Sequence, residues 1–203
     1  MTRPRGHSSR TRSNARRGAV LALAFVAACG GRRNANTSVR PEETTERTLP
    51  QTDVWVLEAG GTPPNDTTLT LTAGQARVVV LRNGPPDLTA FAVLVFPDSA
   101  LKAPEGTPVE LALSVRPGVY GLDISSKAET AGARIIFKYA RHFEAPIAAR
   151  KKYGSDAAFE KELAIGRLDD DGSILLLPTR RPDEDNLSAP IRGNGSYVVA
   201  GPR

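Results

Sequence analysis

An all-β fold, a single immunoglobulin-like β-sandwich over residues 53–203, is what the sequence predicts. Three observations carry that expectation. Short runs rich in Val, Ile, Leu, Thr and aromatic residues recur along the chain, separated by Gly, Pro, Asn and Asp. Several runs alternate apolar and polar residues with period two, the mark of half-buried strands in a two-layer fold. Only Ser155–Glu162 (SDAAFEKE) reads as a helix, with Ser155 or Asp156 as its cap and room for one or two turns.

The expected strands follow in order. Val54–Glu58, Thr67–Thr72, Ala76–Arg82 and Thr89–Phe96 come first, then Pro108–Val115, Val119–Ser125 and Arg134–Tyr139. Ile147–Arg150, Leu163–Leu168, Ser173–Leu177 and Ser196–Ala200 complete the set. Alternation puts Leu69 and Leu71 on one face, and likewise Val109, Leu111, Leu113 and Val115. Thr89–Phe96 is apolar on both faces and is expected to be a central strand. Leu168 to Ser173 reads as a hairpin in which Gly172 takes positive φ.

The N-terminus differs. Its first 28 residues hold six arginines and no acid, and without those six the chain has 21 basic residues against 22 acidic ones. The net charge of +5 therefore belongs to this segment and does not point to nucleic acid, which needs a basic face on the folded domain. Arg16 and Arg17 precede an apolar stretch, Gly18–Ala28, that is too short to span a bilayer. It runs into Val26-Ala27-Ala28-Cys29, which resembles the bacterial lipobox, and Cys29 is the only cysteine of the chain. The resemblance implies a lipoprotein signal peptide over 1–28, diacylglycerol on the Cys29 thiol, cleavage before Cys29 and acylation of the freed amine. Two or more acyl chains anchor stably, whereas one binds reversibly. An ordinary signal peptide cut after Ala22-Leu23-Ala24, leaving Cys29 a free thiol, is the competing reading; Arg16-Arg17 matches twin-arginine export poorly. Gly30 in place of Asp is compatible with sorting to the outer membrane of a Gram-negative envelope.

Residues 29–52 are expected to be the lipidated cysteine and a flexible linker, since they are polar and lack aromatic residues. Arg32 and Arg33 make too small a cluster for stable attachment to lipid head groups.

Within the expected sandwich, Phe96-Pro97-Asp98-Ser99-Ala100-Leu101 comes first, then Phe143-Glu144-Ala145-Pro146 entering a strand, and last Ser196-Tyr197. Their order over about 90–201 resembles the ZU-type domain of zonula occludens scaffolds, netrin receptors and ankyrins. That resemblance implies a β-sandwich interaction module. Some relatives cleave themselves at His-Phe-Ser; here the triplet is His142-Phe143-Glu144, and glutamate cannot supply the hydroxyl nucleophile.

Candidate chemistry is sparse. One cysteine excludes a disulfide framework and a thiolate zinc site, and His142 is the only histidine after residue 28. Asp169-Asp170-Asp171 and Asp183-Glu184-Asp185, beside Arg180 and Arg181, lack EF-hand spacing and read as turns and solvated charge rather than calcium sites. Arg150-Lys151-Lys152-Tyr153 is the strongest basic cluster and reads as a solvated segment. His142 has no triad partner in the sequence, and Gly60-Gly61 and Gly193-Asn194-Gly195 lack the context of a phosphate loop. Trp55 and Tyr197 would either line a sugar site or fill the core. The resulting expectation is a membrane-anchored envelope lipoprotein with a non-catalytic interaction module, no metal and no cofactor. Its partners would be the membrane, through lipid on Cys29, and a protein or envelope polymer, not nucleic acid. The alternative is a carbohydrate-binding or hydrolytic surface module.

Overall fold

The computed structural model describes residues 43–203. Cys29, the expected signal peptide and most of the expected linker lie outside the described residues. Among the described residues, twelve strands form two antiparallel sheets, as the alternation predicts. The strands are β1 (Arg47–Pro50), β2 (Val54–Val56), β3 (Thr67–Thr72), β4 (Arg77–Arg82), β5 (Ala90–Phe96) and β6 (Pro108–Val115). They continue with β7 (Gly121–Ser126), β8 (Arg134–Lys138), β9 (Ala164–Leu168), β10 (Ser173–Leu176), β11 (Asn186–Pro190) and β12 (Gly195–Pro202). The larger sheet has the order β1-β10-β9-β12-β7-β6-β3, with β2 also pairing β12; the smaller is β11-β8-β5-β4.

Between the sheets lies the main core. Phe91, Leu94, Phe96, Ile135, Phe137 and Leu187 face Leu71, Leu111, Leu113, Leu122, Tyr197 and Val199, all buried. Phe91 stacks on Tyr120 at 5.3 Å and meets Phe137 edge-on at 5.8 Å. Burial pushes the Tyr120 hydroxyl up to about 12.

A second, smaller core holds Val54, Ala164, Ile174, Leu176, Val198 and Ala200, with Leu49, Val56 and Leu168 packed against it. Topology explains it. The path β2-β12-β9-β10-β1 returns to its start through one 3-10 turn, Gln51–Asp53, so five strands close around these side chains. Alternation along β12 then sends Tyr197 and Val199 into one core and Val198 and Ala200 into the other.

The closure moves the domain boundary. Arg47–Pro50, expected in the linker, pairs residue by residue with Leu176–Ser173, and Thr44 N donates to Thr179 O at 2.9 Å. Polar composition hid a strand with a single large apolar residue, Leu49, because its partner lies far away in sequence. A second correction concerns Ile147–Arg150. It is the start of a helix, α1 (Ile147–Tyr153), not a strand, and Phe143–Pro146 therefore leads into a helix. Pro146 at its head and Gly154 at φ 83° behind it are the start and stop that fix it. The expected helix is α2 (Asp156–Lys161), where Ser155 Oγ accepts from Ala158 N at 3.1 Å.

A part-buried polar network fastens α2 to Tyr139, the residue after β8. Tyr139 donates to Glu160 Oε1 at 2.7 Å, and Arg181 donates to Tyr139 Oη at 2.7 Å and to the carbonyls of Glu160 and Leu163. Burial raises the Tyr139 hydroxyl above its ordinary value, and the Glu160 carboxylate adds to the rise. Beneath α2, Phe159 lies against Gly201, where a Cβ would sit 2.7 Å from Phe159 Cε2.

Candidate functional site

His142 has a partner that sequence spacing could not reveal. An ionised carboxylate only accepts, so His142 Nε2 donates to Asp87 Oδ2, at 2.7 Å. The same oxygen accepts from Thr89 Oγ1 at 2.8 Å and from Asn83 Nδ2 at 3.4 Å. Asp87 Oδ1 makes no hydrogen bond; Arg141 Nη1 stands 3.4 Å from it as an ion pair. The loop that presents Asp87 is shaped at its next residue, Leu88, which holds φ at 54° and is 56% exposed. Gly60 closes the other side, where an added Cβ would meet His142 Cβ at 3.5 Å.

Hydrogen bonds from His142, then from Thr89, hold the Asp87 carboxyl below its ordinary 3.8. For a lowered carboxyl the stabilisation is complete above that ordinary value and fades as pH falls beneath it. Thermal midpoints measured against pH should therefore drop more steeply in acid for the native chain than for Asp87→Asn. Parallel curves would remove Asp87 from the account.

Beside His142 opens a cavity of about 480 Å³ lined by Glu58, Gly60, Glu144, Pro146 and Ile147 among others. A neighbouring one of about 520 Å³ shares Glu58 and Pro146 and reaches Trp55 and Arg203. Together they form a trough along the segment 51–60 and the start of α1. Ile147 stands at its mouth, 84% exposed. Trp55 is half-buried on Tyr153 and Phe159, with the Lys152 Nζ and Arg203 Cζ atoms 6.0 and 5.9 Å from its ring centre.

The other singled-out residues are distributed as follows. Tyr197 is fully buried, donates to Gly193 O at 2.7 Å and accepts from Arg192 N at 2.8 Å, so it lines no surface site with Trp55. Asp169 pairs with Arg167 at 2.8 Å, and Asp171 accepts from Ser173 N at 2.9 Å; both cap the hairpin whose Gly172 has φ 80°. Hydrogen bonds from Ser173 lower the Asp171 carboxyl. Asp183 accepts from Asn186 Nδ2 at 2.7 Å, and Arg180 pairs with Glu43 at 3.1 Å. No group of three or more His, Cys, Asp or Glu suited to a metal ion occurs among the described residues. In the basic cluster, Arg150 is held by both oxygens of Asp156, at 2.6 and 3.2 Å, which raises its pKa. Ser196 Oγ accepts from Arg116 Nη1 at 3.1 Å. Asn194 exchanges two hydrogen bonds with the Ser126 backbone, at 2.9 and 2.8 Å, and so imitates a strand pair.

No family model, no curated protein and no solved structure matches this chain.

Proposed function

We propose that this chain is a membrane-anchored envelope lipoprotein whose sandwich is a non-catalytic interaction module. The observation that carries the module is the trough: a side chain as apolar as Ile147 stands almost fully exposed at its mouth, and half-buried Trp55 lies at its far end. Exposed aliphatic and aromatic side chains around a concavity are features of recognition surfaces. His142, bonded to Asp87, serves here as a clamp between the loops that carry them. The anchor is supported by Cys29, which stands directly after Val26-Ala27-Ala28.

Mass spectrometry of the mature N-terminus is the test. The expected product begins at Cys29 and carries acyl chains on its sulfur and amine, while Cys29→Ala is neither acylated nor cut at that bond. A mature chain that begins elsewhere, or with an unmodified Cys29 thiol, would falsify the anchor.

A further inference from the structure

The smaller sheet has an apolar outer face as well as an apolar inner one. Register places Val78 opposite Val95 and Val80 opposite Val93, and Val93 in turn opposite Ile136. None of these five side chains joins either core. Val78 is 57% exposed and Val80 43%. Half-solvated sheets normally place polar residues on the outer face, so this patch calls for a cover.

Its frame is basic. Alternation puts Arg82, Arg134 and Lys138 on the same face, Arg134 directly opposite Val95. No acidic residue occupies a strand position there, where β11 contributes Asn186, Ser188 and Pro190. Among the described residues none of the three cations makes an ion pair. Glu43 lies at the margin, already paired with Arg180. Two copies stacked on this face would oppose like charges. The row Val80–Val93–Ile136 crosses three strands, about 10 Å, which is the width of one helix.

From this complementarity of shape and charge we infer that the outer face of β4, β5 and β8 docks an amphipathic helix of a protein partner, its aliphatic stripe on the valines and its flanking carboxylates on Arg82, Arg134 and Lys138. The inference deepens the interaction-module reading and rests on it for the existence of a partner; it is independent of acylation at Cys29.

A synthetic helix of about 20 residues, long enough to fold, serves as probe, with leucines on one face and glutamates on both borders. Fluorescence anisotropy would follow its binding to the purified full chain. Binding is expected, weaker at high ionic strength. It should weaken by roughly tenfold or more for Val80→Asp and for Arg82→Glu with Lys138→Glu, as for loss of an interface anchor. Thr68→Asp, exposed on β3, should bind as the native chain does. Unchanged thermal midpoints would verify that the variants fold, as expected for positions outside both cores. Four outcomes would overturn the inference: no binding, equal binding of a lysine-bordered helix, a Val80-dependent dimer in sedimentation, or Val80-dependent binding to phosphatidylglycerol vesicles in place of the helix. Since the peptide assay does not read lipidation, its failure and that of the anchor are separable.

Discussion

Phe91→Ala is expected to destabilise the sandwich by about 3–5 kcal/mol, as for large aromatic truncations in cores. Phe91 sits where the β4–β5 register shifts beside Leu81 and Arg82, and this irregularity drives its ring inward. There it is 1% exposed, stacked on Tyr120 from the larger sheet's side and edge-on to Phe137 of β8. Removing the ring takes away contacts to both layers at once, and neither rigid sheet can collapse into the gap. Tyr120 also donates to Tyr139 O at 3.3 Å, so loosening it disturbs the start of the Tyr139–Glu160–Arg181 network. A typical domain has about 5–15 kcal/mol in all, so the loss would be a large part of it. Urea unfolding measures it. Val93→Ala, two positions along the same strand but outside both cores, should cost less than about 1 kcal/mol. Equal losses for the two variants would mean that the inner and outer faces are wrongly assigned.

The second large effect concerns the boundary. A chain beginning at Asp53 should be less stable than one beginning at Glu43 by about 3–4 kcal/mol, from several ladder hydrogen bonds at about 1 kcal/mol each and the burial of Leu49. Deleting β1 opens the five-strand ring and leaves Ile174 and Leu176, now 0% and 1% exposed, facing water. Thermal unfolding of both chains, with a dye that binds apolar surface, would show it as a lower midpoint and early dye binding. Coincident curves would restore the boundary at residue 53 that composition implied.

Much of the fold is legible in the sequence. Period-two alternation locates β3 and β6 to the residue, Gly172 marks the β9–β10 hairpin, and of the two caps the sequence offers for α2, Ser155 and Asp156, the structure uses Ser155. Where sequence and structure differ, the cause is physical. Ile147–Arg150 is too short for periodicity to decide, although Pro146 before it and Gly154 after it signalled a helix. β11, Asn186–Pro190, has no hydrophobic run; Asn186 and Ser188 are buried because Asp183 and Arg134 satisfy them. Thr89–Phe96 has the pattern of a central strand, because both its faces are apolar. It is interior within its sheet, yet Val93 and Val95 on its second face are only part-buried and join neither core, and sequence alone cannot separate an apolar face that joins a core from one that does not. Asp87 and His142 stand 55 residues apart on different loops, so only folding could show them as a pair.

The position of β12 has one more consequence. This strand pairs β9 on one flank and β7 and β2 on the other. Without Gly195–Pro202 those three strands lack their common neighbour, and each core loses two side chains, Tyr197 and Val199 from one and Val198 and Ala200 from the other. The two cores therefore share one strand of eight residues, which couples the packing of one to that of the other.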